Sequence, residues 1–227
     1  MLGEAEWAAV RLSAVVAAWA LLISAPPGIA LGWLLARKRF WGKSLLDAVV
    51  HLPLVLPPVV TGYVLLMLLG RQGIGEWLEE VGIPIAFTQR AAVLAAAVMG
   101  FPLLVRAVRL GIELVDRRVE DAAATLGASP WRVFLTVTTP LALPGILTGC
   151  VLAFARSLGE FGATITFASN IAGETRTLPL AIFSFSQVPG GDAAAIRLVV
   201  ISVVLSLAAL LVSEVLARRV SSRLGHR

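Results

Sequence analysis

Apolar residues in this 227-residue chain come in long runs rather than alternating or recurring on one narrow face. Five runs stand out, at about 10–35, 46–69, 91–110, 141–167 and 196–216. Each is roughly the 20 residues that an α-helix needs to cross a bilayer. The pattern therefore predicts an all-α integral membrane protein with about five transmembrane helices. The stretches between runs are short, so 1–227 reads as one transmembrane domain with no room for a soluble catalytic domain.

Composition supports that reading. Charged residues make up 15% of the chain and hydrophobic ones 58%, whereas soluble domains carry about 25% charged residues. The net charge of +5 could suggest nucleic acid, but the basic residues are distributed as in a polytopic membrane protein. Arg37, Lys38, Arg39 and Lys43 lie between runs one and two. Arg106, Arg109, Arg117, Arg118 and Arg132 are counted between runs three and four, and Arg218, Arg219, Arg223 and Arg227 follow run five. Those segments hold 13 of the 19 basic residues. By the positive-inside rule they face the cytoplasm, which puts the N-terminus outside and the C-terminus inside. No nucleic acid partner is expected. The acidic start MLGEAEW, and a first run that continues past Pro26-Pro27, argue against a cleaved signal peptide. Residues 178–185 are too short to span, so the 168–192 segment is expected to dip into the membrane or lie at its outer face.

Residues 116–139 are the polar interruption with the most local information. An Ala-rich helix is expected over 120–126, ended by Gly127 in the left-handed conformation. Ser129 and Pro130 then read as the cap and first position of a second helix, which ends where Pro140 and Pro144 enter the next run. Such a helix pair, standing out from a bilayer, suits docking to a partner.

Elsewhere the candidate chemistry is sparse. Arg156, Ser157, Glu160, Thr164 and Thr166 fall near the end of run four, where polar groups either face a pathway or hold spans together. Arg156 and Glu160 have the i, i+4 spacing of an ion pair on one helix face. Pro26-Pro27 and Pro57-Pro58 suggest spans arranged around a pathway, with simple bends as the alternative. Gly28-x-x-x-Gly32 and Gly145-x-x-x-Gly149 permit close helix approach. His51 reads as an interface residue, and Cys150 as a small packing residue that has no second cysteine to pair with. No metal site or nucleophile–base pair is visible. Gly42-Lys43-Ser44 imitates the end of a phosphate-binding loop, but Arg37 stands where that loop needs a glycine. Any ATP must therefore be hydrolysed by another subunit.

The 116–139 segment resembles the cytoplasmic EAA loop of ABC-importer permeases, roughly E-A-A, three residues, G, nine residues, I-x-L-P. Here it reads Asp121-Ala122-Ala123, then Gly127, then Val137-Thr138-Thr139-Pro140. Asp stands for Glu (with Glu120 adjacent), Val for Ile, and Thr for Leu. Residues 51–78, 155–183 and ARKRFWGK resemble conserved blocks of molybdate permeases, which recur with variations in sulfate and tungstate permeases. The resemblance implies a type I ABC importer permease fold that moves an oxyanion, most simply molybdate, across the cytoplasmic (inner) membrane. Sulfate or tungstate is the alternative. A secondary transporter would need no EAA spacing, and a membrane enzyme would need a catalytic constellation. The resemblance further implies a second copy of the chain, two cytoplasmic ABC ATPase subunits carrying ATP and Mg, and an external oxyanion-binding protein. It assigns ATPase coupling to Glu120, Asp121, Ala122, Ala123, Gly127, Ala128, Ser129 and Pro130. Within the oxyanion group, it leaves the choice of anion to the external protein.

Overall fold

The computed structural model describes residues Gly3–Arg223. Arg227, counted above in the basic tail, lies outside them, as do the side chains of Arg218, Arg219 and Arg223. Among the described residues every regular element is helical. Helix α1 (Glu4–Arg37) is 34 residues long, about 50 Å at 1.5 Å per residue. It starts before the apolar run and passes through Pro26-Pro27 without ending. A long apolar helix tolerates proline where packing supports it.

The expectation of a continuous span at 46–69 is corrected. Two helices, α2 (Lys43–Val55) and α3 (Pro58–Leu69), meet there at 115°. The cause is local: residues before proline are pushed out of helical geometry, and Leu56 and Pro57 are both extended. Among the described residues there are thus four helices long and apolar enough to cross a membrane, or five if this bent pair counts as one. The short helix α4 (Gly75–Glu80) follows, braced by Arg71, whose guanidinium donates to both Glu79 carboxylate oxygens at 2.9 and 2.8 Å. That bonding holds the Glu79 carboxyl below its usual range.

Helix α5 (Gln89–Glu113) is the centre of the molecule and the most deeply buried of the long helices among the described residues. It also contains Arg106 and Arg109, which the run at 91–110 takes in but the count of basic residues groups with the cytoplasmic segment. Both small-residue pairs pack on it within the chain. A Cβ on Gly28 or Gly32 would come within 2.6–2.7 Å of Leu104 or Val108, and one on Gly145 within 2.6 Å of the Gly111 Cα. Only glycine lets α1 and the helix that carries Gly145 approach α5 so closely.

The stretch from α6 through the helix that carries Gly145 overturns two expectations. Helix α6 (Arg117–Thr125) starts three residues earlier than anticipated, while α7 (Pro130–Val133) does not end at the prolines. It runs through a π turn (Phe134–Thr138) into α8 (Thr139–Leu158), making one apolar helix of 29 residues, Pro130–Leu158. The run placed at 141–167 therefore begins earlier and stops at Leu158. Beyond a break, α9 (Gly162–Phe167) and α10 (Leu178–Ser186) are short helices of 6 and 9 residues. Helix α11 (Asp192–Arg223) is the last element among the described residues and packs on α8 and α10.

Candidate functional site

The sequence between α5 and α8 builds its corner from caps. The Asp116 carboxylate accepts from the Arg118 N–H at 2.9 Å and starts α6. Gly127 ends it with φ at +86°, and the Ala128 N–H donates back to the Ala123 carbonyl at 3.2 Å. Ser129 then caps α7 by accepting from the Arg132 N–H at 3.4 Å, with Pro130 in the first turn. α6 buries none of its residues. Asp121, Ala122, Gly127, Ser129 and Pro130 are exposed, and Ala123 and Ala128 are half-exposed. Large apolar side chains crown the corner, with Leu126 at 89% exposure and Trp131 at 68%. A single chain gains nothing by leaving these in water, so the corner has the composition of a contact surface.

Glu120 points the other way. Its carboxylate lies 3.0 Å from the Arg37 guanidinium at the end of α1, and their side chains are only 15% and 9% exposed. The Thr138 hydroxyl donates to the same carboxylate. Arg37 also donates to the Val115 carbonyl at 3.0 Å, and Arg117 to the Ala36 carbonyl at 3.5 Å. α6 is therefore fastened to α1 and to the π turn. Glu120 and Asp121, grouped in the sequence, have different neighbours: one is an internal tie, the other an exposed charge.

The five polar residues near the end of run four are mostly structural in their contacts. Arg156 lies 2.7 Å from Glu160, but the pair does not share one helix, because α8 stops at Leu158. Glu160 is 2% exposed and accepts from the Ala163 N–H at 2.8 Å, so it bridges the chain break into α9. Ser157 donates to the Ala96 carbonyl at 3.2 Å on α5, Thr166 bonds back to Gly162 at 2.9 Å, and Thr164 is buried. Together they pin the break against α5 and α3. Gly62 and Gly162 interlock there, with no room for a Cβ against Ala163 or Pro58.

A charged cleft escaped the sequence reading because its members lie on separate runs. Arg109 holds Asp47 at 3.1 Å and Glu113 at 2.8 Å. His51 Nδ1 sits 2.8 Å from the Asp47 carbonyl. Arg106 completes the lining of this 280 Å³ cleft. Among the described residues, no group of three or more His, Cys, Asp or Glu side chains is placed to hold a metal.

Comparison with known proteins adds a family. Residues 28–222 match the binding-protein-dependent transport system inner membrane component. The molybdenum transport system permease protein ModB of Escherichia coli (strain K12) is 60% identical over 227 residues, 99% of each chain. That of Haemophilus influenzae is 56% identical over 222 residues, 97% of each. A probable sulfate transport system permease protein, cysT of Chlorokybus atmophyticus, is 39% identical over 74% of this chain and 59% of its own. Among solved structures, a bacterial ABC transporter involved in the import of the acidic polysaccharide alginate superimposes with a TM-score of 0.73 at 16% identity. The match covers 96% of this chain and 80% of that one. At that identity the likeness establishes the fold alone.

Proposed function

The chain belongs to the family of binding-protein-dependent transport system inner membrane components, and from that premise we propose that it is the membrane-spanning permease of an ABC importer for molybdate. The full-length likeness to the molybdenum permeases carries this reading. The likeness to sulfate permeases is lower and partial, which favours molybdate over sulfate.

The corner of α6 and α7 would dock an ATPase subunit on the cytoplasmic face. Exposed Leu126 and Trp131 supply apolar contact there, and Asp121 supplies charge. The tie from Glu120 to Arg37 and Thr138 would hand that subunit's movement to α1 and α8, so that two permease copies rock as rigid bodies about a shared pathway. ATP and Mg would sit on the ATPase, since Arg37 occupies the position where a phosphate-binding loop needs glycine and is itself engaged with Glu120. An external binding protein would deliver the anion.

Two results test this. Reconstituted with its ATPase subunits and an oxyanion-binding protein, the chain should support ATP-dependent molybdate uptake, resisted by excess sulfate. The chain alone should neither hydrolyse ATP nor drive uptake. Hydrolysis by the pure chain, or uptake of sulfate in preference to molybdate, would overturn the assignment. Orientation is checked separately, with cysteines at Glu79 and Asp121 in a Cys150→Ala background. Labelling of Glu79→Cys from outside and Asp121→Cys from the cytoplasm is expected, and labelling of both from one side refutes the topology.

A further inference from the structure

Helix α5 leaves one strip uncovered. Ala95, Ala96, Leu104, Val105 and Val108 are completely enclosed, while Arg106, Leu110 and Glu113 are exposed along one side. Arg106 lies seven residues before the end of α5, about 10 Å along the axis. That places a cation two turns inside a candidate span. Charges at such depth face protein or water rather than lipid, because hydrocarbon cannot solvate them.

The charge of Arg106 is also free. Arg109 is neutralised by Asp47 and Glu113, Arg156 by Glu160, Arg37 by Glu120 and Arg197 by Glu6. Among the described residues, no hydrogen bond or ion pair engages Arg106. It stands between two openings. One is the charged cleft shared with His51. The other, of 750 Å³, runs between α5 and α8 past Leu141, Pro144 and Thr148 towards Asp116 and Val119 at the start of α6.

We propose that Arg106 is the oxyanion-contacting residue of the translocation pathway in its cytoplasmic half. This rests on the oxyanion-permease reading and adds to it the side chain that meets the substrate. A guanidinium presents a planar fork of donors suited to two oxygens of a tetrahedral oxyanion. One Arg106 from each permease copy would balance the two charges of the anion. Asp47 and Glu113, the carboxylates of the same cleft, bond to Arg109 rather than to Arg106, so the Arg106 donors stay free while the one negative charge left over by that triad offsets part of its field. Their presence keeps the net attraction weak, which a transit site requires, since an ion bound too tightly does not leave.

The test uses the complete complex in proteoliposomes, with molybdate as substrate. Arg106→Gln should assemble with the ATPase as the wild type does but lose about tenfold to a hundredfold in uptake rate, the weight of charge-assisted hydrogen bonds. Arg106→Lys should keep most of the rate. In a Cys150→Ala background, Arg106→Cys should be inactive and regain uptake after a membrane-impermeant trimethylammonium thiosulfonate is applied from the cytoplasmic side. A sulfonate or an uncharged reagent of similar size should not restore it. Wild-type uptake by Arg106→Gln, equal rescue by all three reagents, failure of the variants to assemble, or no reaction with the impermeant reagent would each overturn the proposal. The unmodified complex reports on the permease reading itself. If it carries molybdate while any of those results holds, only the role of Arg106 falls; if it carries none, both readings fall.

Discussion

Glu120→Ala is expected to weaken the folded permease and uncouple it from its ATPase together. The substitution leaves the Arg37 guanidinium, 9% exposed, without its carboxylate, and deprives the Thr138 hydroxyl of its acceptor. Removing one member of a buried ion pair costs about 3–5 kcal/mol. Partial exposure puts this pair near the lower end, at roughly 3 kcal/mol. Thermal denaturation of the detergent-solubilised protein should show a drop of several degrees. Uptake should fall even where assembly survives, because α6 would no longer be tied to α1 and the π turn. The double exchange Arg37→Glu with Glu120→Arg should recover part of the stability. Asp121→Lys provides the contrast. Its side chain is exposed, so stability should stay unchanged while co-purification with the ATPase weakens. Equal effects at 120 and 121 would contradict the division between tie and surface.

Gly127→Val should act on aim rather than on stability. The backbone there has φ at +86°, and a Cβ would meet nothing within 4 Å. The cost is therefore purely conformational, about 1–3 kcal/mol for a residue forced into that region, and severe for a branched side chain. Relieving it would turn α6 relative to α7 and misdirect Leu126. Insertion should remain normal, while ATP hydrolysis no longer drives molybdate uptake. Gly127→Asn, which tolerates left-handed backbone, should retain much more activity. Transport by Gly127→Val at the wild-type rate would mean that the corner geometry does not matter for coupling.

These two expectations show what can be read from sequence and what cannot. The glycine, serine and proline of the corner act through their own backbones, so their spacing announces the turn. Glu120 acts through Arg37, 83 positions away, and nothing in the local sequence distinguishes it from Asp121. The same limit applied to Arg106. It falls within the run at 91–110 but counts among the basic residues of the cytoplasmic segment, and only the packed structure shows which openings it lines. Helix breaks were legible as prolines but not as outcomes. Pro57-Pro58 turns the chain by 115°, whereas Pro26-Pro27 and Pro140 do not end their helices, because neighbouring geometry decides whether a lost N–H is tolerated.

Pro140 is accommodated in a specific way, and it has a mechanical consequence. The turn just before it, Phe134–Thr138, is wound as a π turn, with the Thr139 N–H reaching back to the Phe134 carbonyl. A π turn amounts to an α-helix holding one surplus residue. The corner of α6 and α7 and the span are therefore out of phase by about 100° of rotation compared with an unbroken α-helix through the same point. Tightening or relaxing that single turn would twist one end against the other without bending the axis. The Thr138 hydroxyl at the end of that turn is bonded to Glu120, so the phase between the two ends is held through α6 as well as through the helix itself.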